Sequence, residues 1–124
     1  MKFKYLLLML LTCIFTMQAK DKVMMVVGTY TDGGSTGIYS YRFNQETGVA
    51  EVLDSMEMRN PSYLTVSRNK RLLYVVSETH DDQASLNVVS INKNGGMRLL
   101  DTTPTEGADP CYVATNGRLA LTAN

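Results

Sequence analysis

Paired cysteines, surplus charge and helical periodicity are all scarce in this chain. Its two cysteines are Cys13, inside an apolar amino-terminal stretch, and Cys111. With that stretch removed Cys111 stands alone, so no intrachain disulfide forms and the fold must rest on packing. Twelve Lys and Arg balance twelve Asp and Glu, with neither sign in a long run. That balance gives no footprint for nucleic acid or an anionic membrane surface. His80 is the only histidine; beside Asp81 and Asp82 it offers at most a weak metal site, no ligand spacing supports more, and no cofactor is implied. After residue 20 the apolar residues alternate with period two and are cut by glycine turns rather than forming amphipathic helical runs, which argues against a helical solenoid.

What the chain does have is a loose internal repeat. Gly37 to Glu78 is written again from Ser85 to Asn124, with Gly48 on Gly96, Leu53-Asp54 on Leu100-Asp101 and Pro61 on Pro110, at offsets of 48, 47 and 49. Within each unit the pattern is that of strands. Tyr39, Tyr41 and Phe43 fall on one face and Ser40 and Arg42 on the other, because successive side chains of a strand point to opposite sides. Met24 to Val27 is a continuous apolar run, the pattern of a strand buried on both faces. Turn signals separate the runs: Asp32-Gly33-Gly34, Thr47-Gly48, Asn94-Gly95-Gly96 and Asn116-Gly117. The last predicts a two-residue hairpin with two positive φ angles, joining Cys111–Thr115 to Arg118–Ala123. Its counterpart one repeat earlier is the turn Ser67 to Lys70. Four short strands per unit of this length predict an all-β fold of β-propeller blades.

The first nineteen residues read as a signal peptide. Lys2 and Lys4 make a basic start, Tyr5 to Phe15 is mostly apolar, and Ala19 offers a small residue for cleavage. The apolar run is shorter than the ~20 residues that a spanning helix needs. The chain is expected to be exported, to the periplasm or the extracellular space, with 20–124 as its structural part.

Gly28-Thr29-Tyr30-Thr31, Gly37-Ile38-Tyr39, Asn60-Pro61-Ser62-Tyr63-Leu64, Leu73-Tyr74-Val75-Val76-Ser77-Glu78 and Asp109-Pro110-Cys111 occur here in one order. In that ordered set the chain resembles the amino-terminal part of the seven-bladed propeller lactonases, the family of the propeller-type 6-phosphogluconolactonase. The resemblance implies that Lys22–Tyr30, Gly37–Phe43 and Val49–Met56 are the second, third and fourth strands of one blade. It makes Pro61 to Arg98 and beyond a complete blade, and Pro110–Asn124 the first half of the next. Seven such repeats need roughly 340 residues, so about two blades of the ring are present, a truncated propeller. A full ring is expected to be a monomer.

The resemblance further implies a hydrolase of carbohydrate metabolism whose partner is a small lactone. Opening a lactone needs a water activated by a general base and a donor or cation for the developing oxyanion. The family's proposed catalytic residues lie mostly in the middle blades, past Asn124, so this part alone is expected to be inactive. Within the chain Glu78 is the candidate catalytic carboxylate or substrate ligand at the channel mouth; its plainer reading is a carboxylate accepting backbone N–H bonds in a loop. His80 and Tyr112 are candidates for substrate binding. The plainer reading of His80 is a solvated loop residue, and Tyr112 stands where many relatives have histidine. Cys111 reads as a small core residue, and Asn60 and Ser62 as loop caps. Two other functions fit the same fold: an exported non-catalytic propeller that binds a ligand or protein, and a muconate-type cycloisomerase.

Overall fold

Alternating side chains and glycine turns produce nine strands and no helix in the computed structural model, which describes residues 22–124. The candidate signal peptide, 1–19, lies outside the described residues. Strands β1 (Lys22–Gly28), β2 (Gly37–Asn44) and β3 (Ala50–Glu57) form a three-stranded antiparallel sheet. Strands β4 (Tyr63–Val66), β5 (Leu72–Ser77), β6 (Ser85–Ile91) and β7 (Met97–Pro104) form a four-stranded one. Strands β8 (Tyr112–Thr115) and β9 (Ala120–Ala123) make a two-stranded hairpin. These are three successive blades, the middle one complete.

The drift of the repeat offset has a structural cause. Phe43 pairs with Ala50 across the β2–β3 hairpin, whereas Ile91 pairs with Met97 across β6–β7. The second hairpin is therefore one residue shorter. The link from β7 to β8 is longer than the link from β3 to β4, which moves the offset the other way at Pro110. Both blades share a bulge. The register slips between Ser40 and Tyr41 opposite Leu53, and between Val88 and Val89 opposite Leu100, so the Leu-Asp pair that marks the repeat sits where one strand carries an extra residue.

The core lies between the first two blades. Ile38, Leu73, Val75 and Val89 are fully buried there, with Met58 and Ile91 beside them and Val26, Met56, Leu64 and Met97 packed around. Each such side chain contributes about 1.5–3 kcal/mol through removal of apolar surface from water. A polar lock adds direction: Ser40 Oγ donates to Gly95 O at 2.7 Å, and Asp54 Oδ2, aimed by the bulge, accepts the Met97 N–H at 2.7 Å. Gly95, at φ +88°, lies so close to Leu53 that an added Cβ would come 2.6 Å from its Cδ1. The second joint, between the complete blade and the hairpin, is centred on Val76 and Val113.

Three local expectations are corrected. Met24 is 41% exposed and β1 is an edge strand, so the apolar run Met24–Val27 is not buried on both faces. Only Gly117 has positive φ in the last turn, and Asn116 does not. Thr115 pairs with Ala120, and the four residues between them are closed by Asn116 N–H to Leu119 O, while Asn116 Oδ1 accepts the N–H groups of Arg118 and Leu119. The side-chain amide of Asn116 thus replaces the tight two-residue turn with an Asx turn. Cys111 is exposed rather than a core residue, because it precedes β8 at the open end of the hairpin.

Candidate functional site

Antiparallel pairing gathers the loops 29–36 and 78–84 and the links 58–62 and 105–111 at one end of the three sheets. Residues one repeat apart meet there. Gly28 lies against Pro61 O with no room for a side chain, an added Cβ falling 1.9 Å from that oxygen, which brings the end of β1 onto the start of β4. Tyr30, just past it, then donates its phenol proton to Glu78 Oε2 at 3.0 Å, 48 residues away. The Glu78 carboxylate raises the phenol pKa above its usual value, first by accepting that hydrogen bond and further by its charge. Ser62 Oγ is buried with no bond of acceptable geometry, yet lies near enough to the phenol to act against that rise. Tyr63 and Tyr112, again equivalent positions, pack with ring centroids 4.8 Å apart and planes tilted by 47°, and remain 39% and 47% exposed.

Asn60 holds this arrangement together. Its backbone has φ of 43°, a left-handed conformation that asparagine tolerates. Its Oδ1 accepts both the N–H and the hydroxyl of Thr31, its Nδ2 donates to Glu78 O, and its carbonyl accepts the Glu78 N–H. One side chain therefore ties the loop of the first blade to the strand end that presents Glu78.

At the second joint the equivalent residue is Asp109, with φ of 53°. Its carboxylate does not clasp Thr79, the counterpart of Thr31. It accepts the His80 Nδ1–H at 2.6 Å, and that hydrogen bond and the charge of Asp109 raise the imidazole pKa above its ordinary value. Thr79 Oγ1 is left buried without a bond of acceptable geometry; the Asp81 carboxylate is the group it approaches closely enough to lower that pKa, aided by Arg59. Arg59 Nη1 reaches Asp81 Oδ2 at 2.6 Å. Beside Arg59, an open hollow of about 410 Å³ is bordered by Thr31, Ser35, Thr36 and Glu57. Its wall is a directed relay, since Thr29 spends its proton on Gly37 O. Ser35 must then donate to Thr29, and Tyr39 to Ser35, while the Tyr39 oxygen accepts the Thr36 N–H.

Residues 24–124 match the family described as Lactonase, 7-bladed beta-propeller. The chain belongs to the seven-bladed propeller lactonases. It is 35% identical over 107 residues to the 6-phosphogluconolactonase of Bacillus subtilis, spanning 83% of this chain and 30% of that protein. A solved structure from Bacteroides uniformis, provisionally named a 6-phosphogluconolactonase, shares 54% identity with a TM-score of 0.81 over 85% of this chain and 31% of its own. The periplasmic gluconolactonase of Pseudomonas aeruginosa shares 30% identity with a TM-score of 0.74, over 83% of this chain and 31% of that one. The chain thus spans about 30% of the length of the relatives it matches.

Within this propeller lactonase chain the residues anticipated from sequence separate into two groups. Glu78 lies one residue past β5 and takes a tyrosine phenol rather than backbone N–H groups on its carboxylate. Tyr112 engages through its ring, against Tyr63. His80 stands apart, 89% exposed at its side chain, with Asp109 as partner in place of Asp81 and Asp82. Among the described residues no three His, Cys, Asp or Glu side chains converge as a metal site would require. Sequence reasoning missed Tyr30 as the partner of Glu78, Tyr63 as that of Tyr112 and Asp109 as that of His80. The signal for the first two was present in the repeat itself, since each pair occupies one position in adjacent blades.

Proposed function

We propose that the protein to which this chain contributes is a lactonase-like hydrolase that opens a sugar-derived lactone in the central channel of its propeller. The observation that carries this reading is the family match across 24–124, together with 35% identity to a named 6-phosphogluconolactonase. In the reaction a base takes a proton from water as its oxygen bonds to the lactone carbonyl carbon. The ring C–O bond then breaks, and the ring oxygen takes up a proton to leave a hydroxy acid. Glu78, held at the loop end by Tyr30 and Asn60, is the carboxylate this third of the ring offers to a substrate hydroxyl or to water. Tyr112, packed at a tilt against Tyr63, offers an apolar ring face to the sugar, and His80, backed by Asp109, a hydrogen-bonding nitrogen at the rim. The basic, then apolar start of the sequence and the periplasmic relative favour export as the setting. The test is hydrolysis of glucono-δ-lactone and its 6-phosphate by the full-length gene product. Rates no faster than the uncatalysed reaction for both would reject the proposal.

A further inference from the structure

The neutral overall composition hides a strong polarity between the two ends of the sheets. At the end that carries Glu78, Arg59 is tied to Asp81 and His80 to Asp109, both at 2.6 Å. No other Lys, Arg or His occurs in the loops and links at that end. Asp32, Glu57, Glu78, Asp82 and Glu106 also lie there or beside it, and among the described residues none of them makes an ion pair. The turns at the opposite end hold Arg68, Lys70, Arg71, Lys93 and Arg118, all exposed, against the single acid Glu46. A field of this kind acts on any charged molecule approaching either end.

Glu78 occupies the key place in that acidic end. One of its oxygens is engaged by the Tyr30 phenol and its backbone is fixed on both sides by Asn60. The carboxylate therefore presents its remaining lone pairs in a set direction, as acceptors only. A sugar hydroxyl is the complementary donor. A phosphate monoester, carrying about −1.5 to −2 charges at neutral pH, finds no unpaired cation here among the described residues.

We infer that this part of the ring selects an uncharged polyhydroxy lactone over a phosphorylated one, with Glu78 as the specificity-determining acceptor of a substrate hydroxyl. The inference rests on the lactonase reading and sharpens it. The selection is electrostatic, so salt must weaken it: the Debye length falls from about 30 Å at 0.01 M to about 8 Å at 0.15 M.

The experiment compares kcat/KM for glucono-δ-lactone and its 6-phosphate with the full-length protein, its Glu78→Gln variant and a Glu46→Gln control at the basic end. The expected result is at least a tenfold preference for the neutral lactone at low salt. Glu78→Gln cuts that preference threefold or more, added salt lowers it, and Glu46→Gln leaves it unchanged. A preference for the phosphorylated lactone, or a ratio indifferent to Glu78→Gln, overturns the inference while leaving the lactonase reading intact. If neither lactone is hydrolysed, the lactonase reading fails and calorimetric binding of gluconolactam against its 6-phosphate decides the inference. Tighter binding of the neutral lactam, lost on Glu78→Gln, upholds it, and equal, reversed or absent binding overturns it.

Discussion

Replacing Asn60 separates two contributions that the first blade joint combines. Asn60→Gly keeps the left-handed backbone accessible and removes three side-chain hydrogen bonds, to the Thr31 N–H, the Thr31 hydroxyl and Glu78 O. A typical bond of this kind is worth a net 0.5–1.5 kcal/mol, so the loss is about 3 kcal/mol, reduced where water reaches the part-buried groups. Asn60→Ala loses the same bonds and must also hold alanine at φ of 43°, which adds about 1–2 kcal/mol. The assay is urea unfolding of the full-length protein with native-state hydrogen exchange at the Thr31 amide, since a joint can open locally without global unfolding. The exchange-derived opening energy at Thr31 should fall by about 3 kcal/mol in Asn60→Gly and by a further increment in Asn60→Ala. If Asn60→Gly costs under about 0.5 kcal/mol by both measures, the hydrogen bonds do not hold the joint and the reasoning fails.

Three other outcomes follow from the same geometry. Gly95→Ala forces a Cβ to 2.6 Å from Leu53 Cδ1 at φ +88°, and should destabilise by about 2–4 kcal/mol in chemical denaturation, as overpacking and left-handed strain combine. Asp54→Ala removes the 2.7 Å acceptor of the Met97 N–H, a charge-assisted bond of about 1.5–3 kcal/mol, and should expose Met97 to faster amide exchange. His80 has a raised pKa in the folded chain, so its pairing with Asp109 stabilises fully below the unfolded histidine pKa and is lost as pH rises through the folded value. NMR titration should show the His80 pKa drop toward the ordinary value in Asp109→Asn, and the pH dependence of stability in that window should flatten. An unchanged His80 titration would exclude Asp109 as the cause.

Period-two alternation and glycine turns made the strands readable from the sequence because both are local: each strand's neighbours are set by the few residues around it. The blade order came from the family resemblance, and the two sheets and the hairpin follow it. What escaped lies between blades. Tyr30 and Glu78 are 48 residues apart and touch only because the ring places equal positions side by side, a contact no local window contains. Asn60 looked like a loop cap and does cap, yet its three partners lie in two different blades. Cys111 was misplaced for the opposite reason. A single thiol at the start of a strand suggested a small core residue, but Cys111 precedes β8, where the chain is still entering the sheet, and is exposed.

The Asn60 and Asp109 joints share one pattern, a left-handed residue before a proline, with an amide side chain at that position in one and a carboxylate in the other. With an amide, the joint closes on itself and is purely mechanical. With a carboxylate, only the backbone N–H of Asp109 still holds Thr79, through its carbonyl, and the side chain turns to a histidine at the rim. In a repeated module of this kind a side-chain change at one copy acts on the seam it borders, while the strands on either side keep their pairing. A symmetric scaffold can in this way acquire an asymmetric mouth without any rearrangement of its strands, and Asp109→Asn would run that step backwards.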